Sequence, residues 1–252
     1  MHNHEEDWRS YPIESDDEMG FAMTDLGWTE APHSHPWCVR LAIELNEPGP
    51  QGLGSTEEME SLSAGEDEFL EAAAQAQAIH VARVRHGGEV AWFFYAQSED
   101  IVESLGQVAA ELLQRDISAG AQHDPEWGVY ASILPSPAVE RWMADMQLID
   151  TLEKHGDPLT VEREVIHYAY FDDLESAEAF AADSEPEGFE VEIREPDEEI
   201  EQFGVVLTQQ SAVDMDTIGA ITQTLSERAA ELDGEYDGWE CALVKGPGGS
   251  NN

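Results

Sequence analysis

The sequence predicts an α+β protein of two tandem domains, each ordered β-α-β-β-α-β, with an antiparallel sheet and its helices on one face. Three observations predict this. Apolar periodicity switches along the chain between the strand period of two and the helix period of about 3.6. The same succession of segments occurs on either side of Pro137, which sets domains of 1–136 and 137–252. The 252 residues are 41% hydrophobic, which suits two cores of ordinary size. The repeated order is the ferredoxin-like arrangement.

In the first domain, "WCVRLAIEL" (37–45) alternates as a strand. The Gly/Pro-rich "NEPGPQGLG" is a loop, and "STEEMESLSAGEDEFLEAAAQAQ" reads as a helix or two, with Ser55 and Glu58 at capping-box spacing. Residues 78–96 read as a strand pair turning at Gly87-Gly88. In "SEDIVESLGQVAAELLQR", Ile101, Val102, Leu105, Val108, Ala109, Leu112 and Leu113 recur at helical spacing, with Ser98 as N-cap. "EWGVYASIL" (126–134) reads as the closing strand, and an extra strand pair is expected around "MGFAMTDLGW" ahead of the repeat.

The second domain opens with an amphipathic helix over 138–156, ended by Gly156. "EREVIHYAYF" (162–171) is a strand, and Asp172 with Glu175 caps the next helix. "GFEVEIRE" and "EQFGVVLTQ" are strands joined by an acidic turn around Pro196. A helix follows with Ile218, Ile221, Thr222, Leu225 and Ala229 on one face, and Gly234 stops it. "GEYDGWECALV" is the last strand, and "GPGGSNN" reads as flexible linker material.

Charge narrows the function. There are 55 Asp+Glu against 11 Lys+Arg, a formal net charge of −44. The acid is spread evenly: residues 1–150 hold 6 basic and 29 acidic groups, and 151–252 hold 5 and 26. Such a chain repels phosphate, which argues against direct nucleic-acid binding and against anionic membranes. The partner expected instead is a basic protein surface; solubility or a salty cytoplasm accounts for the charge equally well. The polar first twenty residues are unlike a signal peptide, and the longest apolar run, Val90 to Ala96, is too short to span a membrane. The chain reads as soluble and cytoplasmic.

Catalytic signals are sparse. His33, His35 and Cys38 in "PHSHPWC" are the candidate metal ligands, but zinc needs three or four ligands in tetrahedral geometry and no further ligand motif accompanies them. A polar loop is the preferred reading, with no metal and no cofactor; His2 and His4 fall in a frayed terminus. "GLGST" lacks the P-loop lysine and is followed by glutamates. No G-x-S-x-G or H-E-x-x-H occurs, and Cys241 reads as a small core thiol. The chain therefore reads as non-enzymatic. The alternatives are an enzyme or a small-ligand sensor with a site in the first domain or between domains.

Strand patterning adds a constraint. In "EVAWFFYA", Val90, Trp92 and Phe94 share one face while Ala91, Phe93 and Tyr95 share the other. In "VIHYAYF", Val165, His167, Ala169 and Phe171 oppose Ile166, Tyr168 and Tyr170. Both faces of each sheet need cover, which predicts that the sheets pack on each other or across a homodimer. His167 points to the core, as a buried hydrogen-bonded histidine or as a buried proton switch. In the last strand Trp239 alternates with Cys241 and faces the core. The Asp237-Gly238 pair reads as a bulge or strand entrance, and Tyr236 falls on the opposite, outer face.

"LIDTLEKHGDP", "REVIHYAYF", "GFEVEI" and "GEYDGWEC", in this order over roughly residues 145–244, resemble the regulator of ribonuclease activity B family. Arg163, His167, Phe171, Gly238 and Trp239 carry the structural part of the motif. The resemblance implies a ferredoxin-like fold and an acidic protein inhibitor that docks on ribonuclease E and modulates RNA turnover. Glu235, Tyr236 and Asp237 are the residues expected to contact that partner. "WRSYPIESDDEMGFAMTDLGW" and "GGEVAWFFY" resemble a domain of unknown function found ahead of such modules.

Overall fold

A computed structural model describes residues 4–15, 18–198 and 200–245. "GPGGSNN" and His2 lie outside the described residues. The chain divides into two compact units, Met1–Pro135 and Ser136–Asn252.

The first unit contains β1 (Trp8–Ser15), β2 (Glu18–Asp25), β3 (Trp37–Glu44), α1 (Thr56–Gln75), β4 (Ile79–His86), β5 (Glu89–Ala96), α2 (Ile101–Leu113), β6 (Ser118–His123) and α3 (Gly128–Ile133). Its sheet is antiparallel in the order β1-β2-β4-β5-β3-β6. The four strands β4-β5-β3-β6 with α1 and α2 are the ferredoxin-like repeat, and the β1–β2 hairpin widens it at the β4 edge. Val39, Leu41 and Ile43 of β3 and Val90, Trp92 and Phe94 of β5 meet Leu62 and Phe69 of α1 and Leu105 and Ala109 of α2 in one core. Ser55 caps α1 by accepting from the N–H of Glu58 at 3.2 Å. Only half of the expected capping box forms. The Glu58 carboxylate turns away and accepts from the N–H groups of Asn46 and Glu47, pinning the preceding loop.

The strand expected at 126–134 is not there. The closing strand is β6, paired with β3, and 128–133 is the short helix α3. β6 reads "SAGAQH" and is exposed along its length, so no alternating apolar pattern advertises it. The apolar residues of "EWGVYASIL" are used elsewhere. Trp127 stacks on Tyr95 at 4.0 Å, and together with Tyr130 it joins Cys38, Val81 and Ala82 on the second face of the sheet. Asp124 anchors this cover by accepting from the N–H groups of Gly128 and Val129 and from the Tyr95 hydroxyl. The cover expected from a second sheet or a second copy is supplied here by the same unit. His4 is not frayed either: its Nε2 meets Asp25 Oδ2 at 2.6 Å.

The second unit contains α4 (Pro137–Lys154), β7 (Arg163–Phe171), α5 (Leu174–Ser184), β8 (Glu190–Arg194), β9 (Phe203–Ser211), α6 (Met215–Glu231) and β10 (Glu235–Cys241). Its sheet is antiparallel in the order β10-β7-β9-β8. This is the same strand order as β6-β3-β5-β4 of the first unit, and the two ferredoxin-like repeats are thus both present. α5 and α6 close one core around Phe171, Phe180 and Leu207. α4 adds Ile149 and Leu152 to a second cluster with Val165, Ile218 and Trp239.

Three helix ends differ from expectation by a residue or two. Asp100 rather than Ser98 precedes α2, and the Ser98 hydroxyl donates to the Asp100 carboxylate. Asp173 rather than Asp172 caps α5, accepting from the N–H of Ser176 at 2.9 Å. α6 ends in a Schellman motif in which Asp233 takes the left-handed conformation, φ 54°. The Asp233 N–H donates to Ala230 and the Gly234 N–H to Ala229. Gly234 is glycine for a steric reason: a Cβ there would lie 2.2 Å from the Phe171 ring. Gly234→Ala should therefore destabilise the protein by roughly 1–3 kcal/mol, read as a lower urea midpoint at unchanged slope.

Candidate functional site

β7 runs through the middle of the second sheet and alternates strictly. Arg163, Val165, His167, Ala169 and Phe171 are buried, while Ile166, Tyr168 and Tyr170 are half-buried on the face away from the helices. β9 sets Thr208, Val206 and Gly204 beside these three, and β8 continues outward with Glu190, Glu192 and Arg194. β10 brings Glu240 opposite Ile166 and Glu235 opposite Tyr170. The result is an apolar and aromatic strip rimmed by carboxylates along both sheet edges. Tyr168 donates its hydroxyl to Glu240 Oε1 at 2.7 Å, which fixes the ring and raises its pKa. Arg194 is held by Glu192 on its own strand, Nε to Oε1 3.1 Å.

The strand behind the motif is bulged. The register of β10 against β7 shifts between Tyr236 and Gly238, and Gly238 adopts φ 108°. Asp237 is the extra residue. Because the bulge consumes one residue, Tyr236 opposes Ala169 and Trp239 opposes His167, both on the inner face. The expected outer position of Tyr236 is corrected accordingly. Its hydroxyl meets His167 Nδ1 at 2.8 Å, and burial pushes its pKa upward. His167 is fully buried, and its Nε2 has no hydrogen-bond partner among the described residues. Burial lowers its pKa to about 4, so the ring is neutral at pH 7.

Trp239 is core, as its alternation predicts. Its indole N–H donates to Asp145 Oδ1 at 2.9 Å, and the Thr222 hydroxyl donates to Asp145 Oδ2 at 2.6 Å. Burial raises the Asp145 pKa against these two donors. Arg163 makes a two-pronged contact with Asp157, Nη2 to Oδ1 2.8 Å, and Asp157 also accepts from the N–H of Val244. This clasp ties the chain beyond β10 to the start of β7. It holds Asp157 at about 2 through the Arg163 hydrogen bond. Phe171 packs on Phe180 with ring centroids 5.1 Å apart.

Asp145 was hidden in plain sight. It occupies the stripe of Ile149 and Leu152 on α4, where a lone carboxylate in an apolar row signals a buried hydrogen-bonded acid. Asp157 carried no such pattern. The candidate metal ligands are not assembled: His35 Nε2 meets the Gln77 carbonyl and its Nδ1 meets Ser34, while Cys38 packs with Tyr95 and Trp127. Burial pushes the Cys38 thiol up to about 11. Among the described residues no group of three or more His, Cys, Asp or Glu is placed to hold a metal ion. No described helix is long and apolar enough to cross a membrane.

Fold and site define a strongly acidic, two-unit α+β protein whose second unit carries an aromatic face rimmed by carboxylates. A family of unknown function, DUF695, matches residues 6–134, and the regulator of ribonuclease activity B family matches residues 142–241. The chain therefore belongs to DUF695 through its first unit and carries a regulator of ribonuclease activity B domain as its second. No curated protein matches it significantly. Among solved structures, an unknown protein from Galdieria sulphuraria is 13% identical, covers 83% of this chain and 99% of its own, and has a TM-score of 0.24. The structure described as "putative glycine cleavage system transcriptional repressor" is 14% identical over 82% and 98%, with a TM-score of 0.26. At these scores neither likeness bears on the fold or function of this chain.

Trp239→Ala should lose about 3–5 kcal/mol of stability. Trp239→Phe, which keeps a ring but removes a donor from Asp145, should lose about 1–3 kcal/mol in the same denaturation experiment. The histidines set an acid limit. His167 and His80 bind a proton more weakly folded than unfolded, both falling from 6.5 to about 4. Stability should thus decline as pH drops from 6.5 towards 4, by on the order of 3 kcal/mol for each ring. Urea unfolding across this window should show a shallower decline for His167→Gln than for the unaltered protein.

Proposed function

We propose that this protein is a non-enzymatic regulator that docks on a basic surface of a ribonuclease through the outer face of its second sheet and so modulates RNA turnover. The observation that carries the reading is the Ile166–Tyr168–Tyr170–Val206 strip set between Glu190 and Glu192 on one side and Glu235 and Glu240 on the other. Half-buried tyrosines supply rigid contact area of the kind that dominates interface energetics. The carboxylates complement Lys and Arg on the partner, and the net charge of −44 steers the encounter. A surface that holds RNA is basic by necessity, so such a protein competes with RNA for it. The family match supports a ribonuclease as partner, and ribonuclease E is the specific choice. Glu235 and Asp237 extend the acidic rim, while Tyr236 supports the face from inside through His167. On this reading the protein works in the cytoplasm and takes no cofactor.

Titration against ribonuclease E from the same source, over a range of salt, tests the proposal. Tyr168→Ala should weaken binding about tenfold or more. Glu192→Lys combined with Glu240→Lys should slow association about tenfold and flatten its salt dependence. Face variants that bind like the unaltered protein, or an affinity indifferent to salt, would overturn it.

A further inference from the structure

The first unit holds a cavity that the docking reading does not use. It encloses about 490 Å³, within the range of small-ligand sites. Trp8 of β1, Trp28 and His4 from the segments flanking the β1–β2 hairpin, and His80 of β4 line it, and the end of α1 adds Leu70 and Ala74. Two carboxylates, Glu6 and Asp25, complete its polar lining, and no Lys or Arg belongs to it.

The aromatic wall is preassembled. His4 stacks on Trp28 with ring centroids 3.7 Å apart, and His80 lies 4.8 Å from Trp8. Asp25 is 2% exposed and firmly held. Its Oδ1 accepts from the N–H groups of Asp7 and Gly27 at 2.9 and 3.1 Å, and its Oδ2 meets His4 Nε2. His80 donates its Nε2 proton to the Ala82 carbonyl at 3.1 Å, and burial keeps the ring uncharged at neutral pH. Neither His4 Nδ1 nor Trp28 Nε1 has a hydrogen-bond partner among the described residues.

The lining discriminates between ligand classes. An anion would face two carboxylates and no basic side chain. A neutral apolar molecule would gain nothing from Glu6 or Asp25 and would desolvate the exposed Glu6 at a loss. A cation is attracted both by indole faces and by the carboxylates. We propose that this cavity binds a small organic cation, an ammonium or guanidinium group on a short apolar body. Trp8 meets the charge, Glu6 neutralises it with the buried Asp25 adding its field from behind, and Leu70 with Ala74 receives the apolar part. The site lies wholly in the first unit and stands or falls apart from the docking face of the second.

Calorimetric titration of the full chain at physiological salt, with benzyltrimethylammonium, benzyl alcohol and benzenesulfonate as probes, tests this. Such salt screens the diffuse field of the acidic chain, so unspecific counterion uptake does not saturate. The ammonium probe should saturate a single site, and the other two should not. Glu6→Gln, at an exposed position, and Trp8→Leu should each weaken the ammonium probe about fivefold or more. Glu192→Gln in the second unit should leave it unchanged. Circular dichroism confirms that each variant is folded; Glu6→Gln alone suffices for the test if Trp8→Leu is not. Absence of saturation by the ammonium probe, equal binding of benzyl alcohol, an affinity indifferent to Glu6→Gln, or equal weakening by Glu192→Gln would each overturn the proposal.

Discussion

A strand that carries apolar side chains on both faces obliges its sheet to be covered twice, because helices on one side leave the other in water. Both units inherit this constraint from their central strands. In the first, β5 puts Trp92 and Phe94 under α1 and α2 and leaves Phe93 and Tyr95 facing outward. The chain answers with Trp127 and Tyr130, locked over Tyr95 by Asp124. In the second, α4, α5 and α6 cover the inner face, and Ile166, Tyr168 and Tyr170 remain half-buried under a rim of glutamates. One unit closes its second face and keeps a cavity at the hairpin edge. On the proposed function, the other keeps its second face for recognition.

Each unit steadies its core with the same device. An indole from the sheet donates to a carboxylate on an overlying helix: Trp92 to Glu66 of α1 at 2.7 Å, and Trp239 to Asp145 of α4 at 2.9 Å. A second donor completes each acid, Arg83 for Glu66 and the Thr222 hydroxyl for Asp145. Buried carboxylates are tolerated when their lone pairs are satisfied in this way. The geometry links helix position to strand register, since a slip of either would strand the carboxylate. In the second unit this places a rigid inner layer of Asp145, Trp239, His167 and Tyr236 behind the strands that present the outer strip.

On the proposed function, charge and aromatic surface divide the labour of recognition. The uniform negative field acts at long range and is screened by salt, which suits steering. There the half-buried Tyr168 and Tyr170 would act only at contact and supply affinity that salt does not remove. On that proposal, a face with either feature alone would be soluble or sticky, and both together would select a basic partner with an apolar patch.

Much of this was legible in the chain. Length, the repeated succession of segments and their periods established two ferredoxin-like repeats, and the charge count established what the surface repels. The stripe on α4 held Asp145 in view. Three features were not legible, for one physical reason: side-chain periodicity is local, whereas strand pairing is not. "SAGAQH" has no apolar alternation and became β6 only because β3 offered it an edge. "EWGVYASIL" could bury its apolar residues as strand or helix, and the exposed Tyr95 side of the sheet decided for helix. The Asp237-Gly238 bulge was foreseen, but its effect on parity was not: one extra residue against β7 turned Tyr236 from the outer face to the hydroxyl partner of His167. The sequence by itself determined most of the elements, the repeated β-α-β-β-α-β succession and the sign of the surface. Only the tertiary structure decided which face each aromatic ring belongs to, because that depends on what pairs with the strand and not on the strand alone.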